Sequence, residues 1–216
     1  MPNTHSTLTG LFTDIADAIR EKDGTSTPKV ADAFPAAIRA IPTGGGEDHD
    51  AEDEIIMRTI SAYENSRVID IGSGAFYYCT SLATVSFPAC RTIGSYAFQG
   101  CNSLATVSFP ACVAIRSSAF QGCTRLTTAS FPACTTIGAN AFYRCYNLLS
   151  LYITTSSVCK LSASGAFNST PIAEYTESTG GVYGSIFVPA SLVAAYKSAT
   201  NWTYFADRIT AVPEEA

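Results

Sequence analysis

One 22-residue phrase is repeated four times without insertion between Ile71 and Val158: IGSGAFYYCTSLATVSFPACRT, IGSYAFQGCNSLATVSFPACVA, IRSSAFQGCTRLTTASFPACTT and IGANAFYRCYNLLSLYITTSSV. The phrases start at Ile71, Ile93, Ile115 and Ile137. A fixed period of this length marks a solenoid, because one such unit cannot bury its own apolar face and does so only against its neighbours. The rest of the chain must therefore begin, end or carry this stack.

Inside a phrase, Leu104, Val107, Phe109 and Cys112 follow the pattern L-x-x-L-x-L-x-x-N/C. It recurs at Leu82, Val85, Phe87 and Cys90, and at Leu126, Ala129, Phe131 and Cys134. The fourth copy keeps Leu148, Leu151 and Ile153 but has Ser156 at the cysteine position. In the preceding half-phrase Ala97, Phe98, Cys101 and Leu104 are spaced by three and four, which suits a short helix or helical turn. One unit thus reads as turn, short helix, short strand.

The AF-x-x-C-x-x-L-x-x-V-x-F-P block, with Ile-Gly at the phrase start, resembles the BspA-like class of leucine-rich repeats. The resemblance covers roughly residues 55 to 212 and includes the tail from Ile186 to Ile209, which is similar to that family's C-terminal capping segment. It departs from the usual pattern at Cys90, Cys112 and Cys134, where family repeats more often carry a polar residue. The resemblance implies an extracellular or particle-surface binding scaffold and names no ligand. The expected fold is an α/β repeat: a leucine-rich-repeat solenoid of about five coils with N- and C-terminal caps, preceded by a small helical hairpin.

Seven of the eight cysteines, Cys79 to Cys145, lie 11 residues apart because each phrase carries two. Successive coils sit about 4.8 Å apart, within reach of a disulfide, but in-register side chains on parallel coils point the same way. Two ladders of buried free thiols acting as small apolar fillers are expected. The absence of C-x-x-C argues against zinc. Cys159 is off register and is expected to be the most exposed thiol.

Residues 1–42 read as a separate helical attachment or oligomerisation module. Leu8, Leu11, Phe12, Ile15, Ala18 and Ile19 recur at helical spacing, and Pro35 to Ile41 fit a second helix. Its DIADAIREK and FPAAIRAI segments resemble a helical module of bacteriophage tail structural proteins. Forty residues rarely support their own core, so this piece is expected to pack on itself or on a larger partner. Residues 43–54, TGGGEDHDAEDE, form an acidic Gly-rich linker that lacks the spacing of a calcium loop. Residues 55–216 form the solenoid. IIMRTISAY is its N-terminal strand, Leu161 to Ile172 restart the phrase imperfectly, and 186–212 are the C-terminal cap. In that cap Ser191 is the expected N-cap of a short helix. Trp202, Tyr204 and Phe205 are expected to cover the open end.

Strand alternation turns the residues beside the buried Val and Phe outward, onto the expected concave face. These are Thr84, Ser86, Thr106, Ser108, Thr128, Ser130, Ser150, Tyr152 and, at the far end, Ser185 and Phe187. Hydroxyls and rings without charge suit carbohydrate or a flat protein epitope. They are equally ordinary choices for solvated strand positions. A second candidate surface is a variable ridge of Tyr77, Tyr78, Tyr96, Gln99, Gln121, Tyr143, Arg144 and Tyr146, a composition found in paratopes.

Between Ile71 and Val158 there is no Asp, Glu, His or Lys. General acid-base and nucleophilic catalysis both need a titratable group beside the reacting atoms, so no enzyme, cofactor or metal site is expected. A net charge of −5 gives no footprint for nucleic acid. No stretch approaches the ~20 apolar residues of a membrane span, and no signal peptide is visible at the N-terminus. The favoured reading is a phage tail or virion-surface component presenting the repeats to a protein or glycan on a host cell, tethered as a homo-oligomer or to a larger assembly through residues 1–42. The alternatives are a secreted or cell-surface bacterial adhesin of the BspA type and a self-assembling structural protein.

Overall fold

The computed structural model describes residues 61–66, 68–174 and 180–213. The helical module, the acidic linker and most of the expected N-terminal strand lie outside them. Within them the phrase becomes one coil with two short parallel strands. The Ile-Gly end supplies β2 (Asp70–Ile71), β4 (Thr92–Ile93), β6 (Ala114–Ile115), β8 (Thr136–Ile137) and β10 (Lys160–Leu161). These stack in chain order as one five-stranded sheet. The L-x-x-V-x-F half supplies β3 (Thr84–Ser86), β5 (Thr106–Ser108), β7 (Thr128–Ser130) and β9 (Ser150–Tyr152). The second five-stranded sheet runs from β5 through β7 and β9 to β11 (Ser185–Val188) and β12 (Ile209–Ala211). Strand β1 (Ala62–Glu64) pairs with β3 at the N-terminal end.

The corner between the two sheets is set by Phe-Pro-Ala-Cys. Proline fixes the first central position of a tight turn, and the amides of Cys90, Cys112 and Cys134 close it onto the carbonyls of Phe87, Phe109 and Phe131 at 3.1–3.2 Å.

The other side of each coil is not the short helix that the spacing suggests. From Tyr96 onward the amides alternate: Ala97, Gln99 and Cys101 bond three residues back within the coil, while Tyr96, Phe98 and Gly100 reach Ser117, Ala119 and Gln121 of the next coil. An α-helix would spend every amide internally. The alternation is possible because two positions per phrase are left-handed: Gly74, Tyr96, Ser118 and Asn140 in one column, and Tyr78, Gly100, Gly122 and Arg144 in the other, all with φ between 54° and 74°. Successive turns with left-handed breaks keep the three-and-four apolar spacing and leave every second N–H free to tie coils together. The only helices among the described residues of the repeat region and its restart are 3-10, as at Ser164–Phe167.

The interior is a single cluster built from equivalent positions. Phe76, Phe98, Phe120, Phe142 and Phe167 form one ring stack, with centroids 5.1–5.6 Å apart and planes within 7° of parallel. Phe87, Phe109 and Phe131 form a second, at 5.7–6.1 Å. All eight cysteines are buried, and none is in a disulfide. Cys101, Cys123 and Cys145 each donate Sγ–H to the carbonyl of the Phe one coil back, at 3.1 Å. Cys90, Cys112 and Cys134 donate to the carbonyl two residues on, at 3.3–3.5 Å. A thiol is small enough for these gaps and has the weak donor that the carbonyls need.

Three expectations at the C-terminal end are corrected. Cys159 is buried, not exposed: a bend at Ser156 and Ser157 absorbs the extra residues, and Cys159 reaches the column of Cys90, Cys112 and Cys134, taking the place in which Ser156 was expected to interrupt it. Ser191 is not an N-cap. It lies within a 3-10 turn (Ala190–Leu192), and the following helix α1 (Val193–Ser198) starts from Leu192 with no side-chain cap bond. Trp202 and Phe205 do close the end of the ring stack, Phe205 edge-on to Phe167 at 5.2 Å. Tyr204 does not, being 74% exposed, because the 3-10 segment Thr203–Arg208 turns it away from its neighbours. The restart at Leu161 matches expectation: Leu161 pairs with Ile137, and Ala166, Phe167 and Ile172 are buried.

Candidate functional site

The outer face of the second five-stranded sheet, the longer one because its strands have three or four residues against two, is built by register. Thr106, Thr128 and Ser150 stand side by side in adjacent strands, followed by Ser185; Ser108, Ser130, Tyr152 and Phe187 form the parallel column. The residue between the columns, Val107, Ala129, Leu151 or Ile186, is buried in each strand, so the flanking side chains are turned outward as the alternation requires. Thr84 and Ser86 extend the face on β3.

Tyr152 and Phe187 are paired residues on neighbouring strands, with centroids 4.6 Å apart and planes 14° from parallel. Each covers one face of the other, and both remain half-buried. The sheet therefore ends in a two-ring block beside hydroxyl columns.

Sequence reasoning missed two members of this face. Thr210 of β12 is the register partner of Phe187 and lies beyond the ring block. Glu64 of β1 is the partner of Ser86 and puts an exposed carboxylate at the opposite end. Neither belongs to a phrase, so the period could not place them. The cap adds a pair of its own, in which the guanidinium of half-buried Arg208 lies 3.7 Å from the ring centroid of exposed Tyr183.

The variable ridge follows the left-handed turn columns. Tyr77, Tyr78, Tyr96, Arg144 and Tyr146 are exposed, whereas Gln99, Gln121 and Tyr143 are half-buried. Tyr77 and Tyr78 meet edge to face at 4.6 Å, and Arg144 lies 5.1 Å from the Tyr143 ring. The Tyr78 ring rests so close to Gly100 that a Cβ there would come within 2.9 Å of it. Gly100 therefore serves both a left-handed φ and the seat of that ring. The structure separates the ridge from the hydroxyl face: the first belongs to the turn side of the coils, the second to the longer sheet.

Among the described residues the two surfaces offer hydroxyls, amides, rings, the Arg144 guanidinium and, at one end, the Glu64 carboxylate. Among the described residues, no three His, Cys, Asp or Glu side chains converge as metal ligands, and no helix is long and apolar enough to cross a membrane.

Coils of two short parallel strands, apolar ladders inside and a polar outer sheet define a leucine-rich-repeat solenoid. The chain belongs to the BspA type leucine-rich-repeat family, whose model, described as a BspA type leucine rich repeat region of 6 copies, matches residues 58–176. Among solved structures it is similar to a T. pallidum leucine-rich-repeat protein, with 31% identity over 61% of this chain and 60% of that one and a TM-score of 0.50. It is also similar to a leucine-rich cell surface protein of Faecalibacterium prausnitzii, with 22% identity over 60% of this chain and 39% of that one and a TM-score of 0.41. The chain thus spans about three fifths or less of these two neighbours. No curated protein matches it.

Proposed function

We propose that this chain is a non-enzymatic adhesion module of the secreted or cell-surface bacterial type, with the outer face of the longer sheet as its ligand surface. The observation that carries the reading is the in-register field of uncharged hydroxyls, Thr106 to Ser130, ending in the Tyr152–Phe187 ring block. Such a face offers hydrogen-bond donors, acceptors and apolar ring edges on a backbone that does not need to be ordered on binding, so little entropy opposes association. It suits an uncharged polyhydroxylated glycan or a flat protein epitope, since the columns themselves carry no charge and the one carboxylate, Glu64, stands at the end away from the rings.

Residues 1–42 supply attachment in this proposal. A phage tail is the second candidate scaffold, on the strength of the DIADAIREK and FPAAIRAI segments alone.

The test is a glycan array together with binding to intact host cells, comparing wild type with Tyr152→Ala/Phe187→Ala and with Tyr77→Ala/Tyr78→Ala. Loss of at least about tenfold in affinity, on the order expected for truncating central aromatics, should occur only in the first variant. Loss confined to the second moves the ligand surface to the turn ridge. Deleting residues 1–42 should leave the repeats folded and abolish association.

A further inference from the structure

Seven cysteines stand at equivalent phrase positions, 22 residues from the next of their own ladder. Equivalent positions on parallel coils have parallel Cα–Cβ bonds, so their sulfurs travel alongside one another. Cys123 and Cys145 illustrate this: their side chains also touch, but each sulfur has a main-chain carbonyl 3.1 Å away to which its Sγ–H donates.

Cys159 breaks that equivalence. The strands on either side of the last junction pair with an offset of 24, Thr136 with Lys160 and Ile137 with Leu161, whereas Cys134 and Cys159 are 25 apart. Cys159 therefore leaves the backbone one residue nearer its strand than Cys134 does. The carbonyl that serves the other thiols of its column, two residues on, is out of phase. Its Sγ instead lies 3.9 Å from Cys134 Sγ, with Lys160 O equally distant. The main chain of Cys159 is held from both directions: its N–H donates to the Tyr196 hydroxyl at 2.9 Å, and its carbonyl accepts from Trp202 Nε1 at 2.6 Å.

We propose that Cys134 and Cys159 are a disulfide-forming pair, a covalent staple that joins the third phrase to the C-terminal cap when the chain folds in an oxidising compartment. In the folded protein the contact between the two sulfurs lowers the proton affinity of Cys134 and raises that of Cys159, as expected of two thiols in direct contact.

In the first step the Cys134 thiolate attacks one sulfur of a small disulfide such as oxidised glutathione and expels a glutathione thiolate. Cys159 then gives its proton to that thiolate, attacks Cys134 Sγ and expels the second glutathione. Two protein thiols are oxidised by two electrons, and one small disulfide is reduced to two thiols. Both cysteines are fully buried, and Tyr196 and Trp202 of the cap hold the Cys159 main chain, so the exchange belongs to the stage of folding before the cap has docked.

The experiment is to unfold the full chain, refold it in a buffer of reduced and oxidised glutathione, alkylate the remaining thiols and map the peptides without reduction. Digestion needs chymotrypsin as well as trypsin, because Cys145 and Cys159 share one tryptic peptide. The expected product has one bridge, Cys134 to Cys159, with the other six cysteines alkylated. Its midpoint of thermal unfolding should rise by about 5–10 °C and fall back on reduction. Cys112→Ser should keep the bridge, and Cys159→Ala should show the same midpoint with and without reductant. Eight alkylated cysteines, a bridge at Cys112–Cys134 or Cys123–Cys145, or an unchanged midpoint in the bridged protein would overturn the proposal. None of these outcomes bears on ligand binding by the longer sheet.

Discussion

Phe98 and Phe120 lie face to face in adjacent coils, ring centroids 5.2 Å apart and planes 7° from parallel. The same side chain with the same ring orientation in each coil makes a ladder in which every ring is the floor of the next. A coil without its ring would leave a gap on both sides, so the energetic unit of this fold is the interface between neighbours and not the coil itself.

Phe109→Ala should accordingly cost about 3–5 kcal/mol. Phe109 has no exposed surface and touches the rings of Phe87, Phe131, Phe98 and Phe120, leaving little freedom for the cavity to collapse. Phe187→Ala removes an equal ring from the half-buried outer face and should cost far less, about 1 kcal/mol. Urea unfolding of both variants checks the contrast; equal losses would mean the strand faces are exchanged.

Two glycine positions should separate close approach from backbone conformation. A Cβ on Gly94 would lie 2.6 Å from the main chain of Gly72, and one on Gly138 would lie 2.5 Å from the amide of Ser117. Main chain cannot swing aside as a side chain can, so Gly94→Ala should destabilise by about 3 kcal/mol or more. Gly122 has φ of +72° but nothing closer than 3.9 Å to an added Cβ. Gly122→Ala should cost only the left-handed penalty, about 1 kcal/mol. Thermal unfolding of the pair is the measurement.

Most of this architecture could be read from the residues, since identical apolar positions at a constant step leave one way to stack them. The helix expected around Ala97, Phe98, Cys101 and Leu104 shows where pattern was insufficient. Apolar spacing of three and four fits a helix and also a chain of turns, and the deciding signal was the glycine at Gly74, Gly100 and Gly122, where a left-handed φ is needed. Cys159 was misplaced because spacing was counted along the chain, whereas burial follows position in space once a bend has absorbed the insertion. Tyr204 was misplaced because Trp202, Tyr204 and Phe205 are adjacent aromatics whose directions depend on a 3-10 turn. The outward columns followed from a period of two. Their ligand did not, because hydroxyls are chosen for solvation as readily as for recognition.

Alkali should destabilise the protein through its buried thiols. Burial pushes the Cys90 thiol up to about 11 and raises Cys101, Cys112 and Cys123 as well. A thiol in the unfolded chain releases its proton near pH ~8.5. Above that pH the unfolded state binds fewer protons than the folded one, so stability falls as pH rises; below it the contribution is fully present. Each such thiol steepens the fall by about 1.4 kcal/mol per pH unit. Urea unfolding in reductant at pH 7, 9 and 10 should show it, and Cys101→Ala should reduce the slope by one thiol's share. A flat profile to pH 10 would mean that the ladders are wet.

The cap offers the sharpest test of how the stack is closed, because Tyr196 and Trp202 grip the same residue from opposite sides. Tyr196→Phe removes the acceptor of the Cys159 N–H, and Trp202→Phe removes the donor to its carbonyl. Each change strands a buried main-chain group, at a cost of about 1–3 kcal/mol. Once one grip is lost, Cys159 can shift and relieve the other group, so the double variant should lose less than the two single losses combined, by at least about 0.5 kcal/mol. A double-mutant cycle by urea unfolding measures that difference. Strict additivity would mean that the two bonds hold Cys159 independently and that the cap docks as two separate pieces.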